Sequence, residues 1–121
     1  MSTAAINNIY IDQGADWKDS FTIVGDSNEP IDISGLTGKM QIRETAFSTE
    51  ILAEVVIEIT DALHGEGTRS LTSAQTQAIL TIGGSYLVKS NFVNDFYLVD
   101  SSNNAVRVSN GLAVISPGVT R

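Results

Sequence analysis

Apolar and polar residues alternate along most of this chain, and a period of two predicts strands rather than helices. Trp17, Phe21 and Ile23 alternate with Lys18, Ser20 and Thr22. Met40 and Ile42 point one way and Lys39, Gln41 and Arg43 the other, so residues 38–44 read as a strand. Val55, Ile57 and Ile59 alternate with Glu54, Val56, Glu58 and Thr60. Ile9-Tyr10-Ile11 predicts a short edge strand. Arg69-Ser70-Leu71, Tyr86-Leu87-Val88 and Asp95-Phe96-Tyr97-Leu98-Val99 predict three more, and Ile31-Asp32-Ile33 alternates briefly.

The punctuation between these runs is turn chemistry. Asp12 to Asp16, Gly25 to Pro30, Asp61 to Gly67 and Asp100 to Asn104 are rich in Gly, Asp, Asn and Ser. Thr72-Ser73-Ala74-Gln75 matches a capping box and predicts one or two helical turns over 73–79. Near the C-terminus, Asn110-Gly111 lies between Val106-Arg107-Val108 and Leu112-Ala113-Val114. Asn-Gly tolerates positive φ, so this predicts a β-hairpin turning at that dipeptide.

Short strands at 8–12-residue spacing with one helical turn suggest a sandwich or small barrel. The fold expected is all-β: an immunoglobulin-like antiparallel β-sandwich of about seven or eight strands with one short helix. Shared parity puts Trp17, Phe21, Ile23, Met40, Ile42, Val55, Ile57, Phe96, Leu98, Val106, Val108, Leu112 and Val114 in its core. Residues 1–8 are small and polar and read as a flexible arm; 9–121 form a single domain.

Composition narrows the function. The chain has 121 residues, 42% of them hydrophobic, and no Cys, so it has material for a core and no disulfide framework. The net charge is −7, and the seven Lys and Arg are scattered. Clustered cations are what a phosphate backbone requires, so no nucleic-acid partner is expected. No apolar run approaches a membrane span and no signal peptide is recognisable, which places folding in a cytoplasm with no membrane partner.

Candidate chemistry is sparse. His64 is the one histidine; no nucleophile accompanies it, and a solvated loop histidine is the favoured reading. Gly65-Glu66-Gly67 lacks the third glycine of a phosphate loop and carries a carboxylate where phosphate would approach, so it reads as a turn. Asp12 with Asp16, and Asp26 with Glu29, offer paired carboxylates. They form no calcium-loop pattern and read as turn formers. No catalytic residue, metal or cofactor is therefore expected. Trp17, Phe21 and Phe96 read as core rather than as a stacking platform; Phe47, after a strand, is harder to bury.

The order of certain stretches carries a resemblance. Ile11-Asp12-Gln13-Gly14-Ala15-Asp16-Trp17 opens it, and Pro30-Ile31-Asp32-Ile33-Ser34-Gly35 leads into Lys39-Met40-Gln41-Ile42-Arg43. Leu71-Thr72-Ser73-Ala74-Gln75-Thr76 follows, and Gly111 to Arg121 closes the set. In this order the chain resembles small virion structural proteins of tailed bacteriophages, similar to the N-terminal domains of upper baseplate and fibre-attachment proteins. It departs in having residues 87–94 between Gly84-Ser85-Tyr86 and Asp95. The resemblance implies a non-enzymatic docking or adaptor component of the tail, baseplate or fibre-attachment region. Such a component would be assembled in the host bacterial cytoplasm and carried in the virion among other virion chains, in a multi-copy symmetric assembly. A head decoration or neck protein, and a carbohydrate-binding β-sandwich module, are the alternatives. Ile9, Tyr10, Ile11, Phe47, Ile51 and Leu52 are the expected partner contacts, joining apolar burial to pairing at a free sheet edge.

Overall fold

The computed structural model describes residues 5–25, 27–79 and 89–119. It is mostly β, as the alternation requires. The strands are β1 (Ala5–Ile6), β2 (Ile9–Asp12), β3 (Trp17–Thr22), β4 (Thr37–Arg43), β5 (Ala53–Asp61), β6 (Glu66–Leu71), β7 (Ser90–Val99) and β8 (Ala105–Ser116). A 3₁₀ turn, Ala62–His64, joins β5 to β6, and a short helix α1, Ser73–Gln77, follows β6. Its capping box is made: the Gln75 amide donates to Thr72 Oγ1 at 3.2 Å and the Thr72 amide donates to Gln75 Oε1 at 2.8 Å. Ile31-Asp32-Ile33 forms no strand; Val24 and Pro30 make an isolated bridge, and Ile33 is buried. The strand expected at 86–88 lies outside the described residues.

The strands pair in the order β1-β8-β7-β4-β5-β6-β3, with β2 also on β8. The sheet is mixed. The expected all-antiparallel pairing fails at the N-terminus, where β1 and β2 both run parallel to β8. β5 pairs with β4 through Ala53 to Val55 and with β6 through Val56 to Asp61, and the sheet curls there.

The hairpin reading at the C-terminal end is overturned. Asn110-Gly111 is not a turn: β8 runs straight through it, Asn110 pairing with Asp95 on one side and Ile6 on the other. The hairpin is β7–β8, and it turns at 100–104. There Asp100 Oδ1 accepts from the amides of Ser102 and Asn104, at 2.9 and 2.8 Å, and Asn103 takes a positive φ of 66°. Gly111 answers a different need. A Cβ there would collide with the Asn7 carbonyl oxygen and lie 2.7 Å from Asn8 Oδ1, so glycine admits the N-terminal segment against β8.

Residues 5–8 are held: the Asn7 amide donates to Asn110 O at 2.9 Å, and the Leu112 amide donates to Asn8 Oδ1 at 2.9 Å.

The core contains Ile23, Met40, Ile42, Val55, Phe96 and Leu98, as parity predicts, together with Ile9, Ile11, Ile33, Ile79, Phe92, Ala113 and Ile115. Trp17, Phe21, Ile57 and Val108 pack against it, half-buried. Phe21 meets Phe96 edge-on, centroids 5.1 Å apart. Val106 and Leu112 are exposed and Val114 half-exposed. The register shifts between Phe96 and Tyr97, leaving Val108 without an opposite residue. Beyond that bulge the inward positions of β8 are Ser109, Ala113 and Ile115, which turns Leu112 and Val114 outward.

Among the described residues one cation is inside. Arg69 on β6 is 4% exposed. Its guanidinium donates to Asp19 on β3 and, at 3.2 Å, to Asn7 Oδ1, and it sits 5.7 Å from the Trp17 ring centroid and 5.9 Å from that of Phe96. Arg69 Nε and Asn94 Oδ1 are buried without a hydrogen-bond partner.

Candidate docking face

The outward side chains of β4, β7 and β8 stand in three cross-strand rows set by the register. Lys39 is opposite Tyr97, and Tyr97 opposite Arg107. Gln41 is opposite Asp95, and Asp95 opposite Asn110. Arg43 is opposite Val93, and Val93 opposite Leu112. Because alternate residues of a strand share a face, these rows lie side by side. They floor a groove of about 760 Å³ whose margin is formed by Ile6 and Asn8 of the N-terminal segment and by Ala46.

The rows differ in chemistry. The first is cationic and aromatic: the Arg107 guanidinium lies 5.8 Å from the Tyr97 ring centroid, within cation–π range. The second is polar, with Asp95 between two amides. The third is apolar apart from Arg43, which is tied down by donating to Ser48 O at 2.7 Å and to Gln41 Oε1 at 2.9 Å. Gln41 donates in turn to Glu54 Oε2 at 3.1 Å. Apolar surface extends from the third row onto the N-terminal strands, where Ile6 is 76% and Tyr10 67% exposed. In a protein of net charge −7, three of the seven Lys and Arg residues line this one groove.

The structure divides the expected contact residues. Tyr10 and Ile51 are exposed, and Phe47, beside the groove-lining Ala46, is 96% exposed. Ile9 and Ile11 are corrected: they point into the core, because the parallel pairing of β2 with β8 turns the even-numbered Tyr10 outward. Leu52 packs half-buried against the core, its amide donating to Ile42 O at 2.8 Å.

The remaining candidates are occupied locally. His64 Nδ1 lies 2.8 Å from Asp61 Oδ2 at an exposed turn. Gly65 ends that turn in the left-handed conformation, and Gly67 is already in β6. Asp16 Oδ1 accepts from the Ser73 amide at 2.6 Å, at the start of α1. The Asp32 carboxyl is held below its ordinary value by hydrogen bonds from the Ser34 hydroxyl and amide.

Sequence reasoning missed Tyr97, Arg107 and Leu112 as members of a face. The outward Lys39, Gln41 and Arg43 were legible from parity alone; their neighbours follow only from the β4–β7–β8 register. No helix among the described residues is long and apolar enough to cross a membrane. Compared with protein-family models and with curated proteins, the chain matches none.

Proposed function

We propose that this chain is a non-enzymatic virion structural protein of a tailed bacteriophage. In this reading it is a docking or adaptor component of the tail, baseplate or fibre-attachment region, assembled in the host cytoplasm. The observation that carries the docking role is the three-row face, where cations, an aromatic ring and exposed aliphatic side chains adjoin on a rigid sheet. Tyr and Arg, here Tyr97 and Arg107, are among the residues that protein interfaces concentrate at their anchors. The virion class rests on the ordered stretches from Ile11 to Arg121 that resemble tail-end proteins. The finer architecture belongs to the same proposal. An immunoglobulin-like sandwich would have β3, β6 and the second half of β5 folded over the remaining strands, and the change of partner along β5 supports that arrangement.

The test is mass spectrometry and cryo-electron microscopy of purified particles from a phage encoding the chain. The expected result is multiple symmetric copies at the tail end, with the β4–β7–β8 face against a neighbour. Location on the capsid or neck makes it a decoration or neck protein. Absence from particles overturns the reading.

A further inference from the structure

We infer that the partner seated on this face is a second copy of the same chain, which inserts its Leu63 turn into the groove. The inference rests on the docking role proposed above.

The turn has the complementary chemistry. Leu63 stands at the end of the β5–β6 connection with 67% of its surface exposed. At the base of that turn Asp61 and Glu66 are direct register partners. Like charges placed opposite each other across a ladder repel, and among the described residues the one ion-pair partner between them is His64, on Asp61. One row of the groove carries the opposite sign, with Asp95 the carboxylate of the adjoining polar row. Lys39 and Arg107 flank Tyr97 in one row, and among the described residues neither forms a salt bridge. Ile6, Val93 and Leu112 provide apolar surface beside them.

A Leu63 side chain seated on that apolar surface brings the carboxylates of Asp61 and Glu66 toward Lys39 and Arg107. The two outer rows lie roughly 13 Å apart along the strands, and the long Lys and Arg stems reach over the polar row between them. The contact joins two different surfaces, so it is heterologous. Repetition builds a ring where the rotation closes, or an open stack where it does not. A chain of net charge −7 resists unspecific self-association, which leaves this groove as the place where an acidic turn is attracted.

The experiment is sedimentation velocity on the full chain from micromolar to near-millimolar concentration, with circular dichroism checking each variant's fold. The wild type is expected to associate with concentration. Two charge-reversed variants, Lys39→Glu with Arg107→Glu and Asp61→Lys with Glu66→Lys, are each expected to be monomeric, and an equimolar mixture of them to associate again. Leu63→Ser should weaken self-association by about tenfold or more. A monomeric wild type, a folded reversed variant that associates like wild type, or a mixture that stays monomeric overturns the inference. A monomeric wild type that still enters phage particles removes only the self-docking partner; a self-associating protein absent from particles removes the virion reading instead.

Discussion

Arg69 donates from Nη1 to the side-chain oxygen of Asn7 at 3.2 Å, joining residues 62 positions apart through the interior of the sheet. The bond ties the N-terminal segment to β6, and the Asn7 carbonyl accepts from Asn94 on β7 at 3.4 Å. Asn7→Ala should therefore cost about 1–3 kcal/mol, because it strips an acceptor from a buried guanidinium. Denaturant unfolding measures it. A loss below about 0.5 kcal/mol, the size of an ordinary surface change, would show the bond to be dispensable.

Gly111 is the second point where the N-terminal segment meets β8. Gly111→Ala should lower stability by about 1–3 kcal/mol, since the new methyl meets backbone oxygen rather than a side chain that can swing away. Faster hydrogen exchange confined to residues 5–12 and their partners on β8 should accompany it. Unchanged exchange there would mean the segment does not depend on the close approach.

Asp100 organises the β7–β8 turn, and its carboxyl is held below its ordinary value by the amide of Asn104 first, then by the Asn104 side chain and the Ser102 amide. A folded-state value below the unfolded one adds stability that is present above the unfolded value of about 4 and is lost as pH falls through the folded value. Asp100→Ala should be less stable than wild type at neutral pH, and the gap should narrow on acidification below about pH 4. A gap that is constant with pH would contradict the role of the charged form.

Phe47 separates docking from folding. Its ring is almost wholly in solvent, so Phe47→Ser should leave unfolding free energy within about 0.5 kcal/mol of wild type. Incorporation into particles should fall at the same time, and the same is expected of Tyr10→Ser. Truncating residues 5–8 is a poorer probe, because those residues pair with β8 and their loss also destabilises the sheet. If both serine variants fold and assemble at normal copy number, these two exposed rings take no part in docking.

The sequence by itself determined what depends on neighbours along the chain. Strand alternation placed β3 through β5, short apolar runs placed β2 and much of β7, Thr72 and Gln75 announced the helix start, and residues 100–104 announced their turn. Those are responses to local backbone preference and to the two-residue period of a half-buried strand. The tertiary structure decided what depends on which strand lies beside which. Asn110-Gly111 has the chemistry of a hairpin turn, yet the long pairing of β8 with β7 and the passage of Asn7 over Gly111 keep it in a strand. Val108 looks like any alternating valine, yet as the bulge residue it shifts the register and sends Leu112 outward. Arg69 is legible in the sequence only as part of a short strand; that Asp19 and Asn7, distant in sequence, meet it inside is decided by the fold. Lys39, Tyr97 and Arg107 become one row by the same route. Cross-strand register is a non-local pairing that the residues of each strand cannot specify alone, which is why this face emerges only when β4, β7 and β8 are assembled.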